Sequence, residues 1–143
     1  MRKFEINDSL SVTDIGIDIS GDSLEELYIA GAEGMFNIIL ENPGWQKEMA
    51  REIELSSGTA DELLIDWLSE LLYSFDAEGL IATDFELSIA EKTEELCLSA
   101  KVHFRKFDSN IDVAKNEIKA VTYYRVNIKR EGNIYSTPVI FDL

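Results

Sequence analysis

Apolar residues recur along this chain at two different periods. Leu24, Leu27, Tyr28, Met35, Phe36 and Ile39 fall on one face of a 3.6-residue repeat. Ser23 stands just before them with Glu26 three residues on, the spacing of a capping box, and Asn42-Pro43-Gly44 ends the pattern. A second stripe runs through Leu63, Leu64, Trp67, Leu68, Leu71, Leu72 and Phe75 behind another box, Thr59 to Glu62. Two amphipathic helices are therefore predicted. Gly31 and Gly34 interrupt the first, and each lowers intrinsic helix stability by about 1 kcal/mol. Close packing against a sheet is the expected reason for them.

Elsewhere the alternation is strand-like: Ile15-Ile17-Ile19, Ile53-Leu55, Phe85-Leu87-Ile89, Leu96 to Phe104, Val121 to Ile128, and Val139-Phe141-Leu143. Glu131-Gly132-Asn133 joins the last two runs as a hairpin-type loop, and the polar stretch from Lys106 to Asn116 predicts a longer loop. Short loops between strands favour antiparallel pairing. The expected architecture is α+β, a mostly antiparallel sheet packed against the two helices. At 143 residues, 45% of them apolar, the expected organisation is a single domain over residues 1–143.

Charge narrows the function classes. Against 28 Asp and Glu stand 13 Lys and Arg, a formal net charge of −15. Direct nucleic-acid binding is not expected, because phosphate recognition draws on clustered cations. Cations and basic protein surfaces are the expected partners. No apolar stretch has the length of a membrane span, and the charged start Met1-Arg2-Lys3-Phe4-Glu5 has no apolar signal region. The lone Cys97 fits a reducing compartment, so a cytoplasmic location is expected, and its place in an alternating run reads as a core or strand-surface thiol. His103 is the only histidine, and alternation puts it opposite Val102 and Phe104, toward solvent. Catalytic dyads and His-rich zinc sites are disfavoured on that count.

Oxygen chemistry remains, for which a hard cation such as Ca²⁺ or Mg²⁺ is the physical match. Alternation sends Asp142 to the face opposite Val139, Phe141 and Leu143, next to the terminal carboxylate on Leu143. Two such anions repel unless a cation or base lies between them; a solvated terminus with no role is the alternative. Asp14 directly precedes Ile15-Gly16-Ile17, where an Asp also suits a turn.

Together the motifs resemble the archease family. The run from Asp66 to Leu80 is similar to that family's long helix and its exit. Thr13-Asp14-Ile15-Gly16, Ser23-Leu24-Glu25-Glu26-Leu27 with Met35-Phe36, Glu117 to Tyr123, and Val139-Ile140-Phe141-Asp142-Leu143 follow in the family's order. The resemblance implies an accessory protein, not itself an enzyme, for an RtcB-type RNA ligase of tRNA splicing or RNA repair. Its implied role is to promote ligase guanylylation and turnover, with a divalent cation bound by acids. Carried over, the metal residues are Asp14, Asp142 and Leu143; Lys119 and Thr122 match a Lys-Ala-x-Thr-Tyr segment, and Glu26 is a further candidate already placed in the capping box.

Two departures stand out. Where the family usually reads Asp-His-Thr-Ala-Asp, this chain has Leu10-Ser11-Val12-Thr13-Asp14, and where it reads Thr-Tyr-His, this chain has Thr122-Tyr123-Tyr124. Each change removes an imidazole that could bind metal or carry a proton. Asp8 and Ser11 are the nearest substitute oxygens. The alternative expectation is a chaperone-like or structural interaction module that keeps the fold without the metal chemistry.

Overall fold

In the computed structural model, which describes residues 1–7 and 13–143, both capping signals start helices. Helix α1 spans Leu24–Ile39, and Ser23 Oγ accepts the Glu26 amide at 3.1 Å. Helix α2 spans Ala60–Glu78 behind Thr59, whose Oγ1 accepts the Glu62 amide at 3.1 Å. The acid of each box turns elsewhere: Glu26 takes Arg2 Nη1 at 3.0 Å, and Glu62 takes the Ser57 hydroxyl at 3.1 Å. Gly79 closes α2 at φ +67°, a left-handed cap that an unbranched backbone adopts without strain. Helix α1 stops at Ile39, before Asn42-Pro43-Gly44, because Leu40 is extended and bridges Ala114.

The strands are β1 (Lys3–Asn7), β2 (Asp14–Gly21), β3 (Met49–Ser57), β4 (Leu80–Lys92), β5 (Glu95–Lys106), β6 (Ala120–Thr122), β7 (Lys129–Glu131) and β8 (Ile134–Asp142). Among the described residues they form two sheets, and every strand pairing is antiparallel. The first has the order β1-β2-β8-β6, with β7 also on β8; the second is β3-β5-β4. The β7–β8 hairpin turns through Gly132-Asn133, with Gly132 at φ +61° in the first central position. Cys97 is half-buried on β5, and the His103 side chain is 18% exposed beside Glu86 at 3.4 Å, more covered than a solvent-facing strand residue.

Val121 to Ile128 is not one strand. Ladder pairing ends at Thr122 and resumes at Lys129. Between them the half-buried Val126 and Ile128 pack against the core, which preserves the alternation. Backbone donors there are met by side chains instead: the Asn127 amide by Thr137 Oγ1 and the Ile128 amide by Asp61 Oδ1, both at 2.9 Å.

Helix α1 contacts β1, β2 and β8 of the first sheet as well as β4 and α2, so most of its surface is buried. Its glycines show why. A Cβ on Gly34 would lie 2.8 Å from Ile17 Cδ1, and one on Gly31 3.4 Å from Ile19 Cδ1 and Leu68 Cδ2. Gly21, at the end of β2, is tighter still: a Cβ there would meet the Leu27 amide nitrogen at 2.5 Å. Gly31→Ala is accordingly expected to stabilise the domain by about 0.5–1 kcal/mol through helix propensity. Gly21→Ala is expected to destabilise it by about 1–3 kcal/mol, since backbone must move. Urea unfolding of the two variants checks both signs.

Candidate functional site

Strands β2 and β8 pair so that Asp14 lies directly opposite Asp142, Ile15 opposite Phe141 and Ile17 opposite Val139. Ile17, Val139 and Phe141 are buried in the core. The alternate positions Asp14, Gly16 and Asp18, with Pro138, Ile140 and Asp142, therefore share the opposite face. Directly opposed residues in such a pair hold their Cβ atoms about 5 Å apart. Two half-buried carboxylates from strands distant in sequence thus meet at one end of the sheet.

Backbone hydrogen bonds fix that end from both sides. The Leu143 amide donates to the Thr13 carbonyl at 2.8 Å, and the Lys119 amide donates to the Asp142 carbonyl at 2.7 Å. Ala120 of β6 is the other neighbour of Asp142 in the row. Like charges so placed destabilise a sheet unless a positive charge is shared between them. The oxygens present suit a hard divalent cation, and among the described residues no cluster of three or more His, Cys, Asp or Glu adds to them.

The remaining sequence candidates divide. Lys119 is exposed beside the pair and held by its own backbone. Thr122 acts locally. Its hydroxyl donates to the Ile140 carbonyl at 2.9 Å and accepts the Tyr124 amide at 3.3 Å, tying β6 to the turn that follows. Glu26 does not join the acids. It packs at Gly21, the far end of β2, and eight strand residues separate the two ends by about 23 Å. The Glu26 carboxylate is engaged by Arg2, which also binds Glu33 at 2.8 Å. Asp8, Leu10 and Ser11 lie outside the described residues. Tyr124 is exposed in a turn closed by the Val126 amide and the Tyr123 carbonyl at 3.2 Å, with the Arg125 guanidinium 5.2 Å from its ring centroid.

The same sheet face carries a feature that the sequence motifs do not mark. Arg125, Asn127 and Lys129 line a cavity of about 340 Å³ with Asp18 and Ser136. Its sequence signal is the polar half of the alternation from Val121 to Ile128, continued to Lys129; the apolar half alone suggests only a strand.

Two helices buried against two antiparallel sheets, with paired acids at a sheet end, define an α+β domain with an acidic sheet end. The chain superposes on the solution structure of protein 1598 from Methanobacterium thermoautotrophicum with a TM-score of 0.84, at 30% identity over 98% of each chain. It shares its fold, at TM-score 0.62 and 22% identity over 93% of each chain, with a Thermotoga maritima protein described as an archease and possible chaperone. Relatives named protein archease include those of Pyrococcus furiosus, 38% identical over 117 residues, and Pyrococcus abyssi, 41% identical over 118 residues, each match covering 82% of both chains. The family model described as Archease protein family (MTH1598/TM1083) matches residues 4–143. The chain belongs to the archease family. Among the described residues, no helix is long and apolar enough to cross a membrane.

Proposed function

We propose that this chain is a non-enzymatic accessory protein of an RtcB-type RNA ligase, acting with it in the cytoplasm to promote guanylylation and repeated turnover. Family membership supports the class of function. The observation that carries the site is the register pairing of Asp14 with Asp142. Held opposite one another by β2 and β8, these carboxylates would bind Ca²⁺ or Mg²⁺ together with Leu143, further oxygens coming from backbone or water. A bound divalent cation would offset the charge of the two facing acids and relieve their mutual repulsion.

The chain's own residues then position that end. Lys119, exposed next to Asp142, offers a cation to an acidic or phosphorylated group of the partner, while Thr122 holds the following turn in place. Net charge of −15 favours encounter with a basic ligase surface over direct contact with RNA.

Purified protein added to its cognate ligase is expected to raise both guanylylation rate and turnover number, and Asp142→Ala to abolish the gain. An unchanged ligase in the presence of wild-type protein sinks the reading. A second reading, a chaperone-like interaction module without metal, is favoured by Leu10, Ser11 and Tyr124 standing where the family's usual acid and histidines would be. Calorimetric titration with Ca²⁺, Mg²⁺ and Mn²⁺ separates the two. Saturable binding that Asp142→Ala removes favours the first, and no heat at millimolar cation favours the second.

A further inference from the structure

Arg125 occupies the third position of a turn from Tyr123 to Val126 at φ +64°, the left-handed region that this turn position normally gives to glycine. A strained arginine persists only where its surroundings hold it. Here the two amides that follow the turn are anchored, Asn127 to Thr137 Oγ1 and Ile128 to Asp61 Oδ1. Val126 and Ile128 face the core, so Arg125, Asn127 and Lys129 point together to the outer sheet face at a two-residue period.

There they line the open cavity of about 340 Å³, with Ser136 on the opposing strand and Asp18 of β2. Arg125 also borders a smaller cavity of about 170 Å³ over Gly16 and Ile140. Among the described residues neither Arg125 nor Lys129 forms an ion pair, although the chain carries a net charge of −15. Arg125, whose guanidinium also lies over the Tyr124 ring, and Lys129 suit a tetrahedral oxyanion together with a hydroxyl and an amide donor. Asp18 repels a bare anion but accepts from a hydroxyl beside it.

From this we infer that the cavity is a binding site for a small phosphorylated hydroxyl compound, with Arg125 and Lys129 on the phosphate and Asp18 on the hydroxyl. It lies about 13 Å along β2 from Asp14, so it is distinct from the acid pair, and it does not depend on the ligase reading.

Titration of the full chain with ribose 5-phosphate and with pyrophosphate, in EDTA so that no metal mediates, tests the site. Ribose 5-phosphate is expected to bind saturably, and Lys129→Ala or Arg125→Gly to weaken it about tenfold or more, the loss carried by one charge-assisted hydrogen bond. Arg125→Gly also relieves the left-handed strain, so its Tm should equal or exceed that of wild type, which separates lost binding from lost folding. Asp18→Asn should weaken ribose 5-phosphate and strengthen pyrophosphate. No saturable binding to wild type, or binding indifferent to Arg125→Gly, overturns the proposal.

Discussion

Arg105→Met is expected to destabilise the domain by about 3–5 kcal/mol, the range for breaking a buried ion pair by removing one partner. The Arg105 side chain and its partner Asp112 are each 5% exposed. Their contact is bidentate, Nη2 to Oδ1 at 2.8 Å and Nη1 to Oδ2 at 2.9 Å. The same guanidinium donates to the Pro43 carbonyl at 2.7 Å and the Asn42 carbonyl at 3.3 Å, while Asp112 accepts the Asp108 amide at 2.7 Å. One side chain thus joins β5, the exit of α1 and the loop that leads to Lys119 and β6. Methionine keeps an unbranched apolar stem but leaves Asp112 buried without its cation.

The pH dependence follows from the Arg105 guanidinium, which holds the Asp112 carboxyl below its usual range. A group depressed in the folded state contributes stability above its unfolded pKa and loses it as pH falls through the folded one. The gap between wild type and Arg105→Met should therefore be full at pH 7 and close on acidification below about pH 4. Urea unfolding at a series of pH values measures it. A gap that stays constant into acid would contradict the assignment.

Trp67→Ala is expected to cost about 3–5 kcal/mol. Trp67 is fully buried at the centre of α2, its indole N–H donates to the Tyr28 carbonyl of α1 at 3.0 Å, and its ring meets Phe85 of β4 edge-on at 6.0 Å. It therefore couples the two helices to the second sheet. Trp67→Phe should lose less, because most of the ring volume remains and only the donor and part of the contact go. Far-UV circular dichroism gives the two midpoints; equal losses would show that the hydrogen bond, not the volume, dominates.

These two side chains differ in how legible they are. Trp67 belongs to a stripe whose period alone marks it as core. Arg105 lies in a strand that alternation locates, yet neither period nor composition reveals its burial or its partner across a loop. The same division runs through the candidate site. Alternation assigns Asp142 to the face away from Val139 and Phe141, and that placement holds. Glu26 is marked by likeness to a motif, and the fold puts it at the other end of β2.

Local signals, then, settle what is local. The capping residues Ser23 and Thr59, the apolar stripes and Gly79 determined two helices, because each acts on backbone groups within a turn of itself. Period-two alternation determined which side chains share a strand face. Tertiary structure alone decided that β2 and β8 pair with Asp14 against Asp142, since register is a relation between segments far apart in the chain. It also decided that residues 123–128 leave the ladder, because Asp61 and Thr137 meet backbone donors that a partner strand would otherwise have taken.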